Sequence, residues 1–381
     1  MQPPEIEIQL KAAEQAAIKQ DKDAFKKAFP AFNANPQASD WAGANGNLAW
    51  NKISKRYPHT MHKFLHEHHF DSWEKFVHCM QLLDNQNVAT TQFENAVDAI
   101  IYGDTERLGS LLRNNPSLVY SRSTRKHRAT LLHYTAANGV EWYRQKTPLN
   151  IVEITQLLLN AGAGINAVAD MYSKDTTIGL AATSAHPFKA GVQQKLLQLL
   201  LDNGAIMTAL PGENLLAACL ANGRLEAAQF LASRGAEVNL EAAAGLGITG
   251  EVKKFFREDG SLKDDISVRQ LQRGFCSACG YGMHETVIFL LQRGIDAHFF
   301  QEGLHWAAAG GQANVMKVLL EWGAPLESRN QHGGTVLGAA LWGAFNNDAG
   351  KDFKPIIRML VDAGADTTVD GLAGYVEKVL Q

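Results

Sequence analysis

Small and apolar residues recur along this chain in a fixed order: an apolar residue, two small residues, a turn glycine, then an apolar triplet followed by Gly-Ala or a near variant. Residues 303–325, GLHWAAAGGQANVMKVLLEWGAP, hold the order most fully, with Leu304, Ala307, Ala308, Gly311, Val318, Leu319, Leu320, Gly323 and Ala324. Residues 274–296 and 214–236 repeat it, and weaker copies open near Phe93, Thr130, Thr176, Leu240 and Thr335. The spacing predicts eight helix-turn-helix units. The first helix of each packs between neighbours, so its inner face takes alanine, cysteine or glycine. The second carries the Leu/Val/Ile triplet that supplies buried area, and the glycine after it ends the helix in a left-handed cap.

This skeleton resembles the ankyrin repeat, which implies an all-α ankyrin-repeat solenoid over residues 91–381. Insertions break the period at 140–150, 186–192 and 346–355, and 257–271 reads as a polar connector without periodicity. Residues 1–90 lack the repeat and read as a helical N-terminal cap. Amphipathic spacing supports this at Ile8, Ala12, Ala16 and Lys19, and again at Trp73, Phe76, Val77, Met80 and Leu83. The runs FENAVDAIIYGDTERLGSLLRNNPSLV, RSTRKHRATLLHYTAANGVEWYRQKTPLN, ADMYSKDTTIGLAATSAHP and GLHWAAAGG, with FDSWEKFVHCM at 70–80, resemble a group of bacterial ankyrin-repeat proteins with an N-terminal helical region. The resemblance spans residue 60 onward; it implies fold and compartment and supplies no catalytic residues.

With 46% hydrophobic and 20% charged residues and a formal net charge of -3, the chain has the balance of a folded protein and no global positive field for nucleic acid or an acidic membrane. Four cysteines, irregularly placed, do not make a disulfide framework at this length. The N-terminal residues carry no apolar run of signal-peptide length, and no stretch reaches about 18 apolar residues. A cytoplasmic location is the expectation.

Loops carry function in solenoids, so the interrupted units supply the candidate ligand-binding pocket. The unit opening at Thr130 brings His127, Arg128, His133, Tyr134, Asn138, Glu141, Tyr143 and Arg144, and the next brings Asp170, Tyr172 and His186. Stacked repeats set equivalent loops about 10 Å apart, so these groups could converge as acids, bases and anion-holding arginines. Against this, a histidine at the place of His133 and His305 commonly bonds neighbouring backbone, and Thr176 and Thr177 sit where a helix is capped. Arg128, Tyr143, Arg144, Asp170, Tyr172 and His186 have no such skeletal duty. The basic run RSTRKHR at 122–128 reads either as an anion site or as a solvated loop.

Histidines crowd residues 59–78, and His62, His66 and His69 share a helical face. The metalloprotease pattern fails, because Lys63 stands where its Glu belongs, so no metal is expected. Cys276 and Cys279 fall on the small-residue face of a first helix, where packing explains both. Trp306, Trp322 and Trp342 are candidate anchors on the concave surface, with His305 beside them. The expected function is that of an intracellular binding protein without cofactor, recognising a protein partner or ligand through concave face and loops. The alternative is an enzyme with an acid/base pocket for an anionic small molecule between the units opening at Thr130 and Thr176.

Overall fold

The computed structural model describes residues 65–72, 75–76, 78–79, 89–172, 174–207, 214–346 and 350–381. The expected amphipathic positions Ile8 to Lys19, together with His59, His62, Trp73, Val77, Met80 and Leu83, lie outside them. The chain forms two compact units that divide between Ile206 and Met207.

The fold is an all-α repeat of helix pairs. In the N-terminal unit α1 (Ala89–Tyr102) pairs with α2 (Thr105–Asn114), and α3 (Leu131–Tyr134) with α4 (Ile151–Asn160). A third pair, α5 (Thr177–Thr183) and α7 (Gln193–Asp202), encloses the short α6 (Ala185–Lys189). The C-terminal unit continues with α8 (Leu215–Ala221) and α9 (Leu225–Ser233), then α10 (Leu240–Gly245) and α11 (Thr249–Lys253). It goes on through α12 (Val268–Tyr281) and α13 (His284–Leu291), α14 (Ala297–Ala309) and α15 (Ala313–Glu321), and α16 (Val336–Phe345) and α17 (Lys354–Asp362), and closes on α18 (Leu372–Leu380). The described strands are β1 (Val168–Ala169) and β2 (Asp175–Thr176), a two-residue antiparallel pair with Val168 opposite Thr176.

The turn chemistry explains where the first helices start. Thr176, Asn214, Asn239 and Thr335 each accept a backbone N–H three residues on, filling one of the amide groups a helix start leaves unpaired. The second helices supply Ile154, Leu197, Leu231, Val287, Leu319 and Ile357, all buried. The connector at 257–271 is more ordered than its composition suggests. Phe256 and Leu262 bridge as a small hairpin, and α12 begins at Val268 behind a Ser267/Gln270 capping box. The polar pattern hid this because its first turn is solvent-facing.

Close approach of the first helices sets the tightest constraint. Gly310 lies against the carbonyl of Gly280, and Gly343 against that of Ala309 and the ring of Phe353. A methyl group at 343 would overlap both, so Gly343→Ala should destabilise the C-terminal unit by about 1–3 kcal/mol. Gly374 of α18 faces open space, so Gly374→Ala should be neutral or stabilising by up to ~1 kcal/mol, as helix propensity dictates. Urea unfolding of the two variants checks the contrast; equal stabilities would contradict it.

Candidate functional site

The basic run is buried on one side. Ser123, Arg125, His127 and Ala129 are buried while Arg122, Thr124, Lys126 and Arg128 are exposed, an alternation carried through a turn closed by the Arg128 N–H on the Arg125 carbonyl at 3.0 Å. Arg125 and Arg144, both buried, meet three buried acids. Two of these, Glu94 and Asp98, lie one turn apart on α1 and therefore share a face. The third, Glu141, stands three residues before Arg144, which a turn of 3-10 helix at Trp142–Arg144 folds inward with it.

The pairing is dense. Arg144 contacts Glu94, lies 3.0 Å from Asp98 Oδ1 and 3.4 Å from Glu141 Oε1. Arg125 contacts Glu141 through Nε, reaches Glu94 at 3.2 Å, and donates to the His68 carbonyl at 3.1 Å. The Tyr134 and Tyr143 hydroxyls border the network, at 3.4 Å from Glu141 and Arg125 respectively. His127 Nδ1 accepts the Ala129 N–H at 3.0 Å, which puts its proton on Nε2, 3.5 Å from Glu141 Oε2. Burial alone would push the Glu141 carboxyl up, but Arg125, His127 and Arg144 hold it well below the usual carboxylate range. Glu94 is likewise held down against its burial by Arg125 and Arg144. Asp98 goes the other way, because burial outweighs its one close arginine.

The structure therefore brings His127, Tyr134, Glu141, Tyr143 and Arg144 together, but as a packed ion network and not as the acid/base pocket expected from them. Its acids already hold the arginines, and Glu141 and His127 are out of water's reach. Of the arginines expected to hold an anion, Arg144 is consumed by the network, whereas Arg122 and Arg128 lie outside it. Arg122 donates to the Arg128 and Val168 carbonyls at 2.8 and 2.7 Å, and Arg128 is an exposed loop residue. His133 is a capping residue: its Nδ1 lies 2.7 Å from Thr130 Oγ1 and accepts the Thr130 N–H. His186 sits half-buried in α6, apart from the network. Glu94, Asp98 and Arg125 were missed by the sequence reading. Their signal was present in two acids at i, i+4 within an otherwise apolar helix face.

A cleft does open beside the network, of about 630 Å³, lined by the segment 65–71, Lys126, the 139–145 loop and Asp170 to Tyr172. Of the expected pocket residues, Asp170 and Tyr172 line it, and Asn138 Oδ1 accepts the Tyr172 hydroxyl at 3.2 Å. The described histidines of the 59–78 cluster pack by their rings: His68 lies 5.3 Å from Tyr143, and His69 5.0 Å from His127. Among the described residues no group of three or more His, Cys, Asp or Glu is placed to hold a metal ion.

The C-terminal unit carries a larger groove, of about 970 Å³, across the faces of α12, α14 and α16. Trp306 and Trp342 line it and remain 53% and 63% exposed, whereas Trp322, at the end of α15, does not line it. Most polar groups of the floor are satisfied from within. Gln272 donates to Glu302 at 2.6 Å, Arg273 pairs with Glu241 at 3.0 Å, and His305 Nε2 lies 3.4 Å from Ser328 Oγ. His305 Nδ1 is buried without a hydrogen-bond partner. Cys276 and Cys279 are buried on α12, and burial pushes both thiols up, so neither is a ready nucleophile.

No family model matches the chain, and no curated protein does. Among solved structures it is similar to the human ASB11 ankyrin repeat domain, at 18% identity over 70% of this chain and 96% of that one, with a TM-score of 0.37.

Two outcomes follow from the buried charges. Arg144→Met leaves Glu94, Asp98 and Glu141 short of a cation and should cost about 3–5 kcal/mol in urea unfolding. Arg144→Lys should not restore it, since a single ammonium does not span the carboxylates that the guanidinium bridges; wild-type stability in either variant would contradict the account. The N-terminal unit should also weaken in acid. Burial lowers His68 to about 3 and His69 and His133 to about 4, from 6.5. The unfolded chain therefore takes up protons first, and stability present above pH ~6.5 is lost as pH falls toward 4. Glu94 and Glu141 add to the loss below ~4.5, while Asp98 opposes it over a narrow range. A urea midpoint that does not drop between pH 7.5 and 5.5 would contradict this.

Proposed function

We propose that this chain is an intracellular binding protein that holds a segment of a protein partner in the groove across α12, α14 and α16. The observation that carries the reading is a pair of tryptophans, Trp306 and Trp342, left more than half exposed on consecutive first helices beside one groove. Large aromatic surface in water is unfavourable unless something covers it, and tryptophan is the residue most enriched among interface anchors.

The rest of the groove fits a polypeptide better than a small charged substrate. Its charged side chains of both signs largely answer one another, so no strong field selects an ion. The polar rim at Asn330 and Gln331 offers hydrogen bonds to a main chain. A stack of helices is stiff, which limits the entropy lost on binding. A cytoplasmic setting goes with this reading: all four cysteines are free, and no described helix is long and apolar enough to cross a membrane. Nothing in the groove calls for a cofactor or nucleic acid.

A photo-crosslinking amino acid at Gln301, within the groove, should capture a discrete partner from cells that produce the protein, and one at Lys317 on α15 should not. With that partner purified, Trp306→Ala and Trp342→Ala should each weaken binding roughly thirtyfold, the usual loss at an aromatic anchor. Unchanged affinity in both variants would overturn the reading.

A further inference from the structure

Among the described residues, five other than glycine have left-handed backbone: His69 (φ 54°), Arg128 (φ 50°), Ala137 (φ 49°), Tyr172 (φ 42°) and Lys174 (φ 80°). All belong to the N-terminal unit. His69 and Tyr172 line its cleft, and Arg128, Ala137 and Lys174 each stand two residues from a lining residue. Each such conformation is unfavourable in an L-residue and persists only where surrounding structure imposes it. The surroundings here are specific. Tyr172 is held by its bond to Asn138 and by the absence of a side chain at Gly139, where a methyl would meet Met171 Sδ at 2.6 Å and Tyr172 Cε2 at 3.0 Å. Asp170 is fixed through its main chain, whose N–H donates to the His127 carbonyl at 2.7 Å.

The chemistry of the walls decides what such a cleft accepts. Trp142 and Tyr172 stand 51% and 62% exposed beside a floor that includes Phe70, Val140 and Met171, all buried. Among the described residues, the charged lining side chains are three acids, Glu67, Asp71 and Asp170, and one base, Lys126. Lys126 lies 3.9 Å from Asp71, which also pairs with Lys75 at 2.5 Å. Among the described residues no arginine lines the cleft, because Arg125 and Arg144 are spent on the network beneath. His69 adds no positive charge at neutral pH, since burial and the neighbouring His127 lower it to about 4. An anion would meet carboxylates without a free guanidinium, and a hydrated metal ion would gain nothing from the aromatic walls.

We propose that this cleft binds an organic ammonium ion, with its carbon chain against Trp142, Tyr172 and Met171 and its charged head answered by Asp170. Aromatic faces attract such cations, and a carboxylate beside them supplies a charge-assisted hydrogen bond. The volume of about 630 Å³ suits a small molecule or one long side chain. Two sources share this chemistry, a free polyamine and the lysine side chain of a polypeptide. The site is independent of the tryptophan groove and stands or falls without it.

Calorimetric titration of the full chain at low salt tests the assignment, with spermidine, Nα-acetyl-lysine methylamide and inorganic phosphate as probes. Saturable binding of spermidine or of the lysine derivative, and none of phosphate, is expected; the tighter of the two identifies the source. Asp170→Asn should weaken it by about tenfold or more, and Trp142→Ala by about threefold to tenfold. Both side chains are exposed, so the variants should fold, with thermal unfolding as the check. Leu149→Ala, 80% exposed and outside the cleft, should bind as the parent does. Absence of binding by either ammonium probe, equal binding in Asp170→Asn and Trp142→Ala, or phosphate binding in their place would overturn the proposal.

Discussion

The C-terminal unit rests on how closely its first helices approach one another. At Gly310 and Gly343 a neighbouring carbonyl occupies the place where a side chain would begin, and Gly303 lies against the Phe275 ring in the same way. Where the helices come that close there is no room for a side chain, and the largest side chains nearby, Trp306 and Trp342, lie on the open face. Both tryptophans line the groove across these helices. The buried area that offsets the loss of chain entropy comes from both helices of each pair, through residues such as Phe275 and Leu304 on first helices and Val315, Leu319 and Ile357 on second helices.

The N-terminal unit answers a different constraint. Charge taken out of water must be matched, and two arginines with three acids are matched there almost entirely among themselves. Such networks add little net stability compared with apolar packing, but removing one member is severe, so they fix geometry more than they strengthen it. What this one fixes is the 140–150 insertion, through Glu141 and Arg144, and the segment around His68 and His69. Arg125 donates to the His68 carbonyl and the Lys126 N–H bonds that of His69. Consuming the arginines also shapes the electrostatics of the adjoining cleft, whose remaining charge among the described residues is acidic.

Most repeat openings were legible in the sequence because they depend on local rules: small residues at one spacing, a triplet at another, a capping threonine or asparagine, a turn glycine; the helices at Val268 and Ala297 open on Ser267 and Asp296 and begin about six residues before the small-residue pattern does. The role of His133 as a cap was legible for the same reason. Opaque were the features that depend on which residues meet at a distance. Nothing local distinguishes the inward Arg125 from the outward Lys126, or tells Arg144 that its partners are Glu94 and Asp98, about fifty residues earlier. The expectation of an anion pocket failed there, since counting arginines in a loop overlooks acids elsewhere that neutralise them. Trp322 shows the same limit, because its spacing resembles that of an anchor while its place at the end of α15 takes it out of the groove.

The central claim is that the groove beside Trp306 and Trp342 is the working surface, and hydroxyl-radical footprinting of the chain with and without its captured partner tests it most directly. The account predicts that Trp306 and Trp342 lose reactivity in the complex while Trp322, comparably exposed when free, keeps it. Protection of Trp322 with Trp306 and Trp342 still reactive would place the partner elsewhere and contradict the account.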